Sequence, residues 1–180
     1  MKVLAIQGSP RKHGNTAAIL KHYLQGIEKS HSDAEVKLIN VAEKNIQSCK
    51  GCQGCKNLQR KCVINDDMQE IYPNILESDL LILATPIYWW GITAQAKQFL
   101  DRFYALNDGH NFKGKKMVLL MTYAGEEPNS GAKIIKNMFN DICDYLEINF
   151  VQSYGICTGE VSVQDNPKAQ NDVYNLGLAL

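Results

Sequence analysis

The sequence predicts one α/β domain in which a five-stranded parallel sheet is covered by helices on both faces, a three-layer sandwich. Three observations carry this. Short continuous apolar runs alternate with stretches whose apolar residues recur at helical spacing. The links between successive runs are too long for hairpins, so crossovers must join the strands. No repeat, low-complexity tract or linker divides the 180 residues, which read as a single domain, 1–180, with a cysteine-rich insertion at about 45–66.

The elements follow in chain order. Lys2 to Gln7 is a short apolar run stopped by Gly8 and Pro10, as expected of a buried parallel strand. Asn15 to Ser30 places Ile19, Tyr23, Leu24 and Ile27 on one helical stripe. Ala34 to Val41 alternates and reads as a second strand. Asp66 and Asp67 stand three residues before Gln69 and Glu70, the spacing of a capping box, and Pro73 predicts a short or kinked helix. Leu80 to Ala84 (LLILA) is the most apolar run and reads as the central strand. Thr93 to Ala105 is helical through Ala96, Phe99, Leu100 and Phe103, and Lys116 to Tyr123 is a fourth buried strand. Ala132 to Glu147 is helical, Ile148 to Cys157 a fifth strand, and Asn166 to Leu180 a closing helix.

Composition narrows the function. With 45% hydrophobic residues the chain is no disordered protein, and 19 basic against 19 acidic residues leave no electrostatic footprint for nucleic acid or an anionic membrane. No apolar run approaches the ~20 residues of a membrane span, and the N-terminal apolar stretch is too short for a signal-peptide core. A cytoplasmic protein is the expectation.

In an open parallel sheet a ligand sits beyond the carboxyl ends of the strands, so the loops after strands one, three and four matter most. The first reads Gly8-Ser9-Pro10-Arg11-Lys12-His13-Gly14-Asn15-Thr16, between a strand and a helix. The free amides and positive dipole end of a helix N-terminus hold phosphate. Ser9, Asn15 and Thr16 add side-chain donors, Arg11 and Lys12 add charge, and Gly8 and Gly14 admit the anion close to the backbone. A Walker loop would need its lysine and serine or threonine directly after the second glycine, where Asn15 stands. The three-glycine dinucleotide fingerprint and the cysteine of a phosphatase loop are absent as well. What remains is a site for one terminal phosphate monoester. After the third strand come Thr85-Pro86-Ile87-Tyr88-Trp89-Trp90-Gly91, and after the fourth Thr122-Tyr123-Ala124-Gly125. Three consecutive aromatics at a strand end call for a cover, either a flat heterocycle or a second subunit, while Trp90 taken alone is equally well read as packing against a helix.

Together GSPRKHGNT, TPIYWWGITAQAKQFLDR, the clustered cysteines before CVINDDM, and DNPKAQNDVYNLG resemble the flavodoxin-like NAD(P)H-dependent FMN reductases, and more closely their iron–sulfur flavoprotein branch. The resemblance implies strand order 2-1-3-4-5 and FMN as cofactor, with NAD(P)H as hydride donor and a flavin, quinone or other small molecule as acceptor. By position it places the FMN phosphate on Ser9, Arg11, Asn15 and Thr16, with Lys12 and Gly14 in the same loop. The flavin ring falls to Pro86, Ile87, Tyr88 and Trp89, with Trp90 and Gly91 in the same turn, and the loop Tyr123, Ala124 and Gly125 flanks it. No side chain is needed as a catalytic group, because the flavin carries the chemistry. Asp101 and Arg102 match the helix after the flavin loop and read as structural or interfacial. The branch assembles as homodimers or homotetramers.

Cys49, Cys52, Cys55 and Cys62 form a C-x2-C-x2-C-x6-C motif. Three thiols two residues apart can reach three corners of a cubane and a fourth closes it, which in the resembling flavoproteins is a [4Fe-4S] cluster. Reduced thiols without a cluster are the alternative. With the cluster, the chain would act as an electron-transfer protein serving a redox partner. Cys143 falls on an apolar helical face as a core filler, and Cys157 has no assigned role.

Overall fold

The computed structural model describes residues 1–57 and 61–180, so residues 58–60 of the cysteine-rich insertion lie outside the described residues. Five parallel strands form one sheet in the order β2-β1-β3-β4-β5: β1 (Lys2–Gln7), β2 (Glu35–Asn40), β3 (Leu80–Pro86), β4 (Lys116–Tyr123) and β5 (Asn149–Cys157). β1 pairs with β3 from Val3↔Leu80 to Gln7↔Ala84, so the first loop and the aromatic turn leave the sheet side by side. β3 and β4 continue in step to Pro86↔Thr122.

Alternation along the strands builds two cores. Val3, Ala5, Leu80, Ile82, Ala84, Val118 and Leu120 face α1 (Asn15–Ser30) and α6 (Pro167–Leu178). Leu4, Ile6, Leu81, Leu83, Leu119 and Met121 face α3 (Met68–Glu77), α4 (Ala94–Asp101) and α5 (Ser130–Leu146). A four-residue helix, α2 (Gly54–Asn57), lies within the cysteine segment. α1 and α6 meet backbone to backbone: a Cβ at Gly26 would stand 2.2 Å from the Tyr174 carbonyl, and one at Gly177 2.2 Å from the Tyr23 carbonyl.

Two expectations need correction. The helix expected over Thr93 to Ala105 is α-helical only to Asp101 and tightens into a 3-10 turn over Arg102–Ala105. The capping box before α3 does not form. Asp67 makes no side-chain cap, Asp66 accepts from the Met68 amide at 3.1 Å, and Gln69 Nε2 turns back to the carbonyls of Cys62 and Ile64. α3 is short, as Pro73 predicts, with ten residues from Met68 to Glu77 and the proline inside it.

Candidate functional site

The first wall of the site is the β1–α1 loop. Gly8 donates to the Ala84 carbonyl at 2.7 Å and its own carbonyl accepts from Thr93 Oγ1 at 2.6 Å. A Cβ at Gly8 would stand 2.9 Å from the Cβ of Ala96, so only glycine lets the loop seat this close to β3 and α4. Ser9 Oγ accepts from the Arg11 amide at 3.1 Å, which folds the loop back on itself. Gly14 occupies the N-cap of α1 and no side chain caps the helix, leaving its first amides to a ligand. Asn15 Oδ1 accepts from the Val163 amide at 2.9 Å, so the amide nitrogen carries the donors that remain.

The second wall follows β3. The Ile87 amide donates to the Thr122 carbonyl at 2.8 Å, and Tyr88 and Gly91 exchange two backbone hydrogen bonds of 2.9 and 3.0 Å around a two-residue turn. Trp89 and Trp90 at its tip have φ of 48° and 61°, a region that bulky residues enter only at a cost. Trp89 is 91% exposed, while Trp90 donates from Nε1 to Ser130 Oγ at 3.0 Å. The third wall is the end of β4 and the start of the loop after β5, where the Thr158 amide donates to the Tyr123 carbonyl at 2.6 Å. The Tyr123 hydroxyl donates to the Glu127 carboxylate; burial first, and this bond second, push the phenol up and keep it protonated.

These walls enclose one cleft of about 330 Å³ beyond the carboxyl ends of β1, β3 and β4. Ser9, Arg11, Gly14, Asn15 and Thr16 line one end, and Pro86, Ile87, Tyr88, Tyr123 and Ala124 the other. The volume is that of a small-ligand site, and the donors gather at the helix end.

A second cavity lies beyond the far end of α4. Cys49, Cys52, Cys55 and Cys62 all line it, together with Asp101, Arg102 and Tyr104. Cys49 and Cys52 are exposed, Cys55 is buried and Cys62 is half-buried. Among the described residues no three metal-ligating side chains converge as they would on a single ion. A cubane holds its thiolates wider apart than one ion does, so four soft donors around a shared cavity suit an iron–sulfur cluster better than zinc.

Residues 1–159 match the family model described as NADPH-dependent FMN reductase. The chain belongs to the NADPH-dependent FMN reductase family. An iron-sulfur flavoprotein of Archaeoglobus fulgidus is 34% identical over 94% of this chain and 76% of its own length. Iron-sulfur flavoprotein MJ1083 of Methanocaldococcus jannaschii is 38% identical over 64% of this chain, which spans 58% of that relative. The fold is that of a crystal structure of azoreductase AzrA, with a TM-score of 0.79 over 100% of both chains at 11% identity. The fold is therefore flavodoxin-like, and membership of the family makes the chain an NAD(P)H-dependent FMN oxidoreductase whose cofactor is FMN.

In this FMN reductase the cleft does not gather every residue read from the sequence. The Lys12 ammonium pairs with the Glu43 carboxylate and lines a separate surface groove with His13, so it lies outside the cleft. Trp89, Trp90 and Gly91 form the turn beside the cleft and do not line it, and both tryptophans are exposed at its tip. Gly125 lies just past Ala124, against the Asn129 amide. Two lining residues were missed, Thr122 and Thr158. A threonine closing the otherwise apolar run MVLLM was the available signal for Thr122; Thr158 had none beyond following the last strand.

Arg102, read from the sequence as structural or interfacial, is the largest fully buried side chain among the described residues. Its ion pair with Asp66 at 2.6 Å is buried on both sides. Burial alone would push the Asp66 carboxyl up. The Arg102 hydrogen bond, the Gln47 amide and the guanidinium charge outweigh it, so the carboxyl sits below its ordinary value. Cys143 is the core filler expected, its thiol pushed up to about 12 by burial.

Proposed function

We propose that the cleft holds FMN with its phosphate at the N-terminus of α1 and its ring against Pro86, Ile87 and Tyr88. The observation that carries this is one cleft lined both by the uncapped helix end with Arg11 and by Pro86, Ile87 and Tyr88, which lead into the aromatic turn. The α1 amides, Thr16 and Arg11 neutralise a phosphate dianion through charge-assisted hydrogen bonds. Ile87 and Tyr88 hold a flat ring, and the rigid pairing of Tyr88 with Gly91 fixes the edge of that surface. Held by these residues, FMN would supply the redox chemistry between the nicotinamide as hydride donor and a flavin, quinone or similar small acceptor. Tyr123 stays neutral beside it, a wall and not an acid.

The shared cavity of the four cysteines supports a second component: a [4Fe-4S] cluster that passes electrons to or from the flavin. Cys49, Cys52, Cys55 and Cys62 would be its ligands, and a redox partner protein would then supply or take the electrons. The exposed tip at Trp89 supports assembly into a homodimer or homotetramer in which a second copy covers it. Six cysteines without disulfides accord with a cytoplasmic setting.

An anaerobic visible spectrum tests the reading. The protein loaded with FMN bleaches in the flavin bands on adding NADPH, and iron analysis gives about four irons per chain if the cluster is present. Unchanged flavin bands after NADPH would defeat the reductase reading; iron near zero would defeat the cluster.

A further inference from the structure

We propose that Arg102 is a positioning residue for the cysteine site: it clamps the two ends of the cysteine segment, aims a donor at the Cys62 sulfur, and thereby raises the reduction potential of a cluster bound there. This rests on the cluster reading given above.

All five guanidinium N–H groups are engaged. Nε donates to the Tyr72 hydroxyl at 3.2 Å. Nη1 donates to the Gln47 carbonyl at 2.9 Å and to Asp66 Oδ2 at 2.6 Å. Nη2 donates to Asp66 Oδ1 at 3.1 Å and to Cys62 Sγ at 3.3 Å. These acceptors come from both sides of the motif. Gln47 precedes the first cysteine, Cys62 is the last, and Asp66 follows it. Asp66 Oδ2 in turn accepts from the Gln47 amide at 2.9 Å, so Gln47 is gripped at both its carbonyl and its N–H. The ends of the segment are thereby tied to one buried, planar group, and the fork and the carboxylate fix its orientation.

Neutralising the guanidinium would require Asp66 alone. The donor turned to Cys62 is a further contact, and it points at a sulfur on the wall of the cavity that all four cysteines share. Hydrogen bonds and positive charge at a ligating sulfur favour the more negative, reduced cluster. Asp101, next in sequence, pairs outward with Lys97 at 2.5 Å and takes no part. Lysine keeps the charge but cannot reproduce the fork.

The test compares wild type with Arg102→Lys. It also uses the double variant Arg102→Gln with Asp66→Asn, which removes the buried pair together and so leaves no lone charge if the single change fails to fold. Each protein is reconstituted anaerobically with iron and sulfide, its iron is counted, and its midpoint potential is titrated. Amide hydrogen exchange is measured on the iron-free forms. The expected result is about four irons in wild type, less than half that in Arg102→Lys, and a potential lowered by the equivalent of a tenfold change, about 59 mV for one electron. Full loading with an unshifted potential in the variants would overturn the proposal. If wild type takes up no iron, the cluster reading fails by itself, and exchange then decides the clamp. Faster exchange over 46–57 and 61–66 in Arg102→Lys upholds it, and wild-type protection overturns it.

Discussion

The hydroxyls of Thr16 and Thr122 lie 2.7 Å apart, buried between the first turn of α1 and the end of β4. This bond ties the α1 end of the cleft to its opposite wall. Thr16→Val removes it and leaves the Thr122 hydroxyl without its partner, a loss of about 1–3 kcal/mol. FMN affinity, measured by fluorescence quenching, should fall roughly tenfold or more by the same principle, while Thr16→Ser should stay near wild type.

Arg11 lines the cleft from the loop that precedes α1. On the proposed reading it serves the phosphate and not the ring. Arg11→Ala should weaken FMN binding by about 1.5–3 kcal/mol, the strength of a hydrogen bond to a charged group. Riboflavin, which lacks the phosphate, should bind wild type and variant alike in the same titration. Equal losses for both ligands would place Arg11 elsewhere.

Acid should undo the Asp66–Arg102 pair. The folded Asp66 carboxyl lies below its unfolded value of about 3.9, so its contribution to stability is complete above that value. It is lost as the pH falls through the folded one. Asp66→Asn should cost about 3–5 kcal/mol at neutral pH, since it strands a buried guanidinium, and the variant's stability should fall less steeply below about pH 4. Urea titrations from neutral to acid pH measure both effects.

Trp89 holds a positive φ while remaining almost wholly exposed, its ring meeting Trp90 in a tilted pair with centroids 6.1 Å apart. Trp89→Gly removes the strain and the aromatic cover together. Sedimentation should show smaller assemblies for the variant, with no loss in the urea midpoint of the dissociated chain. An unchanged assembly would mean that the turn serves the flavin alone.

Much of this was legible in the sequence, for definable reasons. The apolar runs Lys2–Gln7 and Lys116–Tyr123 end where β1 and β4 end, since an apolar run is buried only while it stays in the sheet. The helix Asn15–Ser30 matches to the residue. The phosphate loop was legible because its donors are local to one strand–helix junction. Partners distant in sequence were not. Nothing near Lys12 announces Glu43, and nothing near Asp66 announces an arginine 36 residues away, so a buried ion pair read as a helix cap. The exposed tip at Trp89 and Trp90 was hidden too, since positive φ at two tryptophans runs against residue preference.

The most direct test is a crystal structure of the chain grown with FMN. The account predicts the phosphate within hydrogen-bonding reach of the Asn15 and Thr16 amides, and the ring against Ile87 and Tyr88. A flavin whose phosphate lies away from the Gly8–Thr16 loop would contradict it.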